Sequence, residues 1–231
     1  MQEHIATRPS DLLMQDFARR TGLEPEGSPR RYLWTDAHAV CNYLGRYRDG
    51  QDEADLELAL RLIEQVHFTL GRFRPDDERS GWISGLSEEE GRERPTARGL
   101  RIGKPLPERV AEQPYDAGLE WERDGQYYHY LTKWMHALAQ AGRVTEDVRY
   151  IEMGVDLALA AHAAFVHELY RGQRKRLYWK MSVDLSRPLV PSMGQHDALC
   201  GTGRRRGGGA ARAEEAAGGR DIGAGHDVPR R

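Results

Sequence analysis

The stretch Trp34–Leu44, which reads WTDAHAVCNYL, decides the fold together with a second stretch, Trp121–Leu131, which reads WERDGQYYHYL. In both stretches a Trp precedes a Tyr-Leu pair at the same offset, and an Asp lies near the start. A helix rich in aromatic and histidine residues follows each opening. We interpret the two stretches as the starts of equivalent helices in a repeated helical hairpin. Their polar residues are therefore expected to lie together at one end of a ring of helices.

A long amphipathic helix follows each of these openings. Residues 52–73 and residues 146–170 both carry apolar side chains at three- and four-residue steps, which is typical of a helix with one buried face. In the second of these helices, Ile151, Val155 and Leu159 are predicted to lie on the buried face. Because both helices recur, at a period of roughly ninety residues, the sequence predicts a stacked or ring-shaped α-helical architecture.

Two histidines support the repeat. Val66–Leu70 aligns with Ala161–Phe165, which places His67 and His162 at matching positions on faces that are otherwise apolar. We expect both histidines to be buried structural residues.

The chain divides into three segments. Residues 1–30 are expected to form an N-terminal helix, at residues 9–20, and a linker broken by Gly and Pro. Residues 31–199 are expected to hold the hairpins. Within them, residues 81–115 are rich in Gly, Pro and charge and residues 177–185 alternate as a strand does, so short β-hairpin excursions are expected in the loops. Residues 200–231 are rich in Gly, Arg and Ala and are expected to be disordered.

The change of composition after Leu199 is abrupt. Met193–Asp197 resembles the start of a third hairpin, and the Gly/Arg/Ala text then replaces it. We interpret this change as a reading-frame shift that truncates the natural chain, with a genuine basic arm as the alternative.

Composition excludes several classes of protein. A formal net charge of -2 provides no basic field for nucleic acid. The sequence has no run of about 20 apolar residues, which a membrane-spanning helix requires, and its first residues do not resemble a secretory signal. Cys41 and Cys200 are too few for a disulfide framework and are typical of a reducing compartment. We expect a cytoplasmic protein that binds neither nucleic acid nor a membrane.

Four motifs occur in a characteristic order: Tyr32–Ala37, Gly81–Leu86, Asp124–Leu131 and Pro191–Asp197. In these motifs the chain resembles a bacterial branch of the six-hairpin glycosidase-like superfamily, whose members form (α/α)6 barrels. The resemblance covers residues 30–199. It implies an all-α fold, here a partial (α/α)6 toroid, which N-acylglucosamine 2-epimerase and many α-toroidal glycoside hydrolases share.

Acidic residues form the first group of candidates for chemistry. Asp36, Asp124 and Asp197 fall near the starts of expected inner helices, where the helix dipole favours an ionised carboxylate. Glycoside hydrolysis uses one carboxyl group as the acid and a second as the base or nucleophile. We expect Asp124 and Asp197 to be this pair, with Asp36, Gln126 and His196 orienting hydroxyl groups. The alternative role for Asp36 is a helix cap.

Aromatic and histidine residues form the second group. Trp and Tyr rings offer apolar faces with polar edges, which suit sugar rings. His129 and His196 are the candidate bases of an epimerase, because histidine transfers protons near neutral pH. The expected substrate-binding residues are Trp34, Trp82, Gln126, Tyr127, Trp179, Lys180 and Gln195.

Three hypotheses follow from these candidates. The leading one is a carbohydrate-active protein that hydrolyses glycosides with paired carboxylates, on a small-molecule carbohydrate. The second is a sugar 2-epimerase or isomerase that uses histidine bases. The third is a non-catalytic helical scaffold, or an inactive fragment. None of them calls for a cofactor, and no Cys/His cluster has the spacing of a metal site.

Overall fold

The computed structural model describes residues 9–24, 27–168 and 175–191, and within them the chain is mostly helical. The helices are α1 Pro9–Arg20, α2 Leu33–Gly50, α3 Glu53–Leu70, α4 Glu88–Glu93, α5 Ala117–Glu122, α6 Tyr128–Thr145 and α7 Val148–Phe165. The strands are β1 Gln126–Tyr127, β2 Val166–His167, β3 Arg176–Leu177, β4 Lys180–Met181 and β5 Pro188–Val190. The expected N-terminal helix has the bounds of α1, and a mainly α-helical class is confirmed.

The repeat of helical hairpins is present and is highly regular. The hairpin α2–α3 recurs as α6–α7, with four helices of 18 residues each and every boundary shifted by 95 residues. The turn between the helices repeats as well. Gln51 and Glu146 both adopt the left-handed conformation, with φ of 55° and 57°. The next residues, Asp52 and Asp147, both cap the following helix by accepting a hydrogen bond from the backbone two residues later.

The first helices of the two hairpins pack against each other. Each also packs against the second helix of its own hairpin, so that α2 and α6 lie side by side at the centre. Both helices contribute completely buried apolar side chains to the core, among them Val40, Leu44, Leu131, Trp134 and Leu138. Burial of such side chains contributes about 1.5–3 kcal/mol each, so α2 and α6 contribute strongly to the stability of the fold.

The equivalence of Trp34 and Trp121 is wrong. Trp34 is the second residue of α2, whereas Trp121 lies in the separate short helix α5 and α6 begins only at Tyr128. The shift of 95 residues instead matches Trp34 with His129, so the shared offset of Trp and Tyr-Leu is coincidental.

The face assigned to α7 is also wrong. The helix buries Leu157, Ala161 and Phe165, while Val155 and Leu159 are exposed. His67 is buried, as expected, but His162 is exposed. The helix ends at Phe165 rather than near residue 170, because β2 turns away to pair with β3 in antiparallel register.

The loop between the hairpins is a folded excursion, although it is not the expected hairpin. In place of a hairpin it has two isolated bridges, one between Arg72 and Trp82 and one between Leu106 and Arg123. Instead it contains α4, whose Ser87 and Glu90 form a complete capping box. The chain then joins the two helix starts, because Leu33 N donates to the Ile102 carbonyl at 3.0 Å and Ile102 N donates to the carbonyl of Gly125 at 2.8 Å.

Two small antiparallel sheets complete the described structure. One has the strand order β1-β4-β5 and the other pairs β2 with β3. The alternating stretch at residues 177–185 therefore contributes two short strands to two sheets. None of the helices in the described part of the chain is long and apolar enough to span a membrane.

Candidate functional site

Aromatic and histidine side chains gather where α2 and α6 begin. Trp34 comes from the first turn of α2, Tyr127, His129 and Tyr130 come from β1 and the first turn of α6, and Trp179 comes from the residue before β4. We call these five residues the aromatic–histidine cluster. The pairing of Tyr127 with Lys180 between β1 and β4 brings Trp179 to the start of α6.

His129 lies at the centre of the cluster. Its ring centroid is 4.4 Å from that of Trp179, 4.5 Å from Tyr130, 5.3 Å from Tyr127 and 5.7 Å from Trp34. These are normal separations for interacting aromatic rings. Three of the four neighbours were expected to bind substrate, and the structure brings them to an expected catalytic residue.

Two polar atoms in the cluster are buried and have no hydrogen-bond partner among the residues that the structure describes: Nδ1 of His129 and Nε1 of Trp179. Leaving such a group unsatisfied costs about 1–3 kcal/mol. Among the other aromatic side chains, Nε1 of Trp82 and Nδ1 of His167 share this condition, but they do not belong to the cluster. Both side chains are only partly buried. Each atom is chemically able to pair with a hydroxyl group, since the indole N–H donates and the unprotonated imidazole nitrogen accepts.

Electrostatics keep His129 neutral. Burial lowers its pKa to about 4, and the positive charge of Lys133 acts in the same direction. The imidazole is therefore uncharged at neutral pH and is available as a hydrogen-bond acceptor. Burial also raises the pKa of Tyr130, and its hydroxyl lies 2.5 Å from that of Tyr32, which adds a second neutral polar pair beside the cluster.

Cations and exposed rings form the rim. Lys104 Nζ lies over the rings of Tyr32 and Trp121, at 5.5 and 5.0 Å from their centroids. Lys133 Nζ lies 5.9 Å from the Trp34 ring, and His38 is exposed next to the same Trp. From the sequence, Lys104 could be considered for binding carboxylated or phosphorylated sugars, with simple surface exposure as the alternative, whereas Tyr32 and Lys133 were missed. Among these, only the place of Tyr32 next to Trp34 gave any signal.

Asp36 lies inside α2 and is fully buried. Its carboxylate accepts from the backbone N–H of Tyr32 at 2.9 Å and lies 3.8 Å from the guanidinium of Arg31. Burial raises its pKa to about 6, although the charge of Arg31 and the hydrogen bond from Tyr32 lower it. Asp36 is therefore not itself the N-cap, because that residue is Tyr32. Its carboxylate instead reaches back from the first turn of α2 to the N–H of the cap residue, which is a structural role.

Asp124 has hydrogen bonds to the protein on both carboxylate oxygens. It is buried against Arg101 and accepts from the backbone N–H groups of Gly103, at 3.0 Å, and Gly125, at 3.1 Å. The carboxylate therefore fastens the excursion to the start of the second hairpin.

Gln126 and Lys180 are internal braces. The amide of Gln126 accepts from Leu100 N at 2.9 Å and donates to the Arg98 and Val183 carbonyls. The Lys180 ammonium group donates to the carbonyls of Glu120 and Arg123 and to the Glu120 carboxylate, all within 2.9 Å. Both side chains are completely buried, so their polar groups bind the chain itself.

Trp82 lies apart from the cluster. It borders a cleft of about 650 Å³ between α3, α7 and the α4 segment, together with Phe68, Tyr150 and Arg92. Gln195, His196 and Asp197 lie outside the described residues, so the structure places neither the expected partner of Asp124 nor that of His129. In the described part of the chain, no group of three or more His, Cys, Asp or Glu residues is arranged to hold a metal ion.

Scans of the chain against protein-family models, curated proteins and solved structures found no match.

Proposed function

We propose that the protein binds a carbohydrate at the aromatic–histidine cluster. The observation that carries the proposal is the pair of unsatisfied polar atoms, Nδ1 of His129 and Nε1 of Trp179, between aromatic rings. A sugar hydroxyl both accepts and donates a hydrogen bond, so sugar hydroxyls suit both atoms when His129 carries its proton on Nε2. The apolar face of the same sugar ring packs on the neighbouring indoles.

The charge around the cluster sets the class of sugar. The ammonium groups of Lys104 and Lys133 border it. The carboxylates of Asp36 and Asp124 are buried and hydrogen-bonded within the protein. Neutral sugars are therefore expected to bind, and sugars that carry a carboxylate are expected to bind at least as tightly.

Members of the superfamily that the chain resembles act on sugars by two reactions, and the proposal includes both. Hydrolysis by paired carboxylates uses Asp124 with Asp197, and epimerisation uses His129 with His196. The lowered pKa of His129 makes it a good hydrogen-bond acceptor but a weak base at neutral pH. The geometry therefore supports binding more strongly than either reaction.

We also propose that the two hairpins are part of an (α/α)6 ring and that the protein acts in the cytoplasm. The contact between α2 and α6, as neighbouring first helices of successive hairpins, supports the ring. The small number of cysteines supports the location.

Calorimetric titration with N-acetylglucosamine, glucuronate and neutral disaccharides tests the binding proposal. His129→Phe and Trp179→Phe keep an aromatic ring but remove both imidazole nitrogens and the indole nitrogen respectively. Each variant is expected to weaken binding by at least the value of one hydrogen bond, roughly 2- to 12-fold. Trp82→Phe, in the separate cleft, is the matched control and should not change the affinity. Equal loss in all three variants, or no binding by the wild-type protein, contradicts the proposal.

The reactions are tested separately on a sugar that binds. Release of the aglycone from a chromogenic glycoside, abolished by Asp124→Asn with folding intact, supports hydrolysis. Incorporation of solvent deuterium at the carbon beside the carbonyl supports epimerisation. If neither occurs with a sugar that binds, both reactions are rejected and the binding proposal stands.

A further inference from the structure

We propose that the aromatic–histidine cluster is the first of two subsites, that Trp121 forms the second, and that the ligand is an acidic oligosaccharide rather than a single sugar. The inference rests on the proposed function, because Trp121 extends the surface that binds the first sugar unit. The ring centroid of Tyr127 lies 6.1 Å from that of Trp121 and 5.3 Å from that of His129. Tyr127 is itself buried, so a single buried ring lies between the two subsites.

The Trp121 indole is open to solvent and fixed in position. It leaves 47% of its surface exposed. Backbone hydrogen bonds hold the end of its helix, α5, against the preceding segment, because Leu106 N donates to the Glu122 carbonyl at 3.3 Å and Asp124 N donates to the Leu106 carbonyl at 2.7 Å. An exposed indole held in this way offers a flat apolar surface to a second sugar ring.

A lysine next to Trp121 indicates that the second sugar is acidic. Lys104 Nζ lies 5.0 Å from the centroid of the Trp121 ring and 5.5 Å from that of Tyr32. Its ammonium group forms no salt bridge with any residue that the structure describes. Because the ammonium group lies over the ring on which the sugar packs, a carboxylate on that sugar can pair with it.

The carboxylates of the chain leave the charge of Lys104 available. The buried carboxylates of Asp124 and Glu120 are paired with other cations, and Glu122 is exposed to solvent, which screens its charge. Lys133 borders the first subsite, over the ring of Trp34. Each subsite therefore has one lysine, which suits an oligosaccharide that carries a carboxylate on each unit.

Calorimetric titration of the full chain with glucuronate, β-linked tetraglucuronate and cellotetraose tests the second subsite. Trp121→Ala should weaken the binding of tetraglucuronate by roughly 2- to 12-fold, the value of one ring contact, and leave the binding of glucuronate unchanged. Phe68→Ala is the matched control, because Phe68 is also 47% exposed and also lies beneath a cation, in the separate cleft. This variant should bind both ligands with the wild-type affinity.

Lys104→Gln tests the charge. Tetraglucuronate and cellotetraose have the same linkage and differ only in the carboxylates, so the wild-type protein is expected to bind tetraglucuronate more tightly. Lys104→Gln should weaken the binding of tetraglucuronate by roughly 2- to 5-fold without changing that of cellotetraose. Equal losses for the two tetrasaccharides, or no loss for either, would overturn the assignment of an acidic ligand.

The outcomes separate this inference from the proposed function. If His129→Phe weakens the binding of glucuronate while Trp121→Ala leaves that of tetraglucuronate unchanged, the second subsite is rejected and the proposed function stands. If the wild-type protein binds none of these sugars, both are rejected. If the circular dichroism spectrum shows that Trp121→Ala does not fold, the result for Lys104→Gln decides the question.

Discussion

Acid is expected to destabilise the protein through His67, and His67→Gln should remove that part of the sensitivity. Nε2 of His67 accepts a hydrogen bond from the indole N–H of Trp134 at 3.1 Å, and both side chains are buried. Protonation would place two N–H groups face to face and would bury a charge. Burial lowers the pKa of this histidine from 6.5 to about 3.

The sign of the effect follows from proton linkage. Because the folded pKa is below the unfolded pKa, the unfolded chain binds one more proton than the folded chain between about pH 6.5 and pH 3. Stability is therefore fully present above pH 6.5 and falls as the pH falls. At about pH 5 the loss from His67 is about 2 kcal/mol relative to pH 8.

Asp36 acts in the opposite direction and makes the comparison of variants necessary. Its folded pKa is raised to about 6, so the folded state binds the extra proton and gains about 1.4 kcal/mol between about pH 8 and pH 5. The stability that the wild-type protein loses between pH 8 and pH 5 is therefore smaller than the contribution of His67 alone. The difference between wild type and variant isolates it.

Urea unfolding at pH 8 and pH 5 provides the measurement. Gln keeps an acceptor for Trp134 and does not titrate, so the stability that His67→Gln loses on acidification should be about 2 kcal/mol smaller than the loss in wild type. His38→Gln changes an exposed histidine of α2 and serves as the control, with the wild-type pH profile expected. An equal acid-induced loss in wild type and His67→Gln would refute the reasoning.

Three further predictions concern the turns and the buried braces. Gln51→Gly and Glu146→Gly should each stabilise the protein by about 0.5–1 kcal/mol, since both residues adopt the left-handed conformation, which is unfavourable for residues with a side chain. A lower thermal midpoint for either variant would contradict the repeat of the turn. Gln126→Glu should lower the free energy of unfolding in urea by about 3 kcal/mol, because a carboxylate then faces two buried carbonyls. Wild-type stability of this variant would show that the amide of Gln126 does not hold these segments together. Lys180→Met should cost about 1–3 kcal/mol in urea, because the buried carbonyls of Glu120 and Arg123 lose their donor while the Glu120 carboxylate keeps its ion pair with Arg109. Wild-type stability of this variant would show that the ammonium group does not hold these elements together.

The helical hairpins could be predicted because their signals are local. Apolar spacing marks each helix, and Asp52 and Asp147 are side-chain caps that lie next to the turns. The buried face of α7 could not be predicted in the same way, because the helix carries apolar side chains on two sides. Only the packing against α6 selects Leu157 over Leu159 as the buried residue.

The cluster could be predicted by residue type but not by arrangement. Trp34, Tyr127, His129 and Trp179 are all chemically suited to a sugar site. However, strands of two residues carry no periodic signal, so the pairing of β1 with β4 that positions Trp179 is visible only in the structure.

The internal role of Asp124 also required the structure. Its partner Arg101 is 23 residues away in the sequence, and nothing in the local pattern connects the two. In the sequence, a carboxylate near a helix start is as consistent with a catalytic role as with a structural one. Its hydrogen-bond partners distinguish the two roles.

The indole N–H resonances of the five tryptophans provide the most direct test of the proposed site. In a ¹⁵N NMR titration with a sugar that binds, the account predicts that the Trp179 and Trp34 signals shift in a saturable manner. The signal of Trp134, which is hydrogen-bonded to His67 in the core, should stay in place. A shift confined to Trp82 would place the ligand in the cleft beside α4, and would contradict carbohydrate binding at the aromatic–histidine cluster.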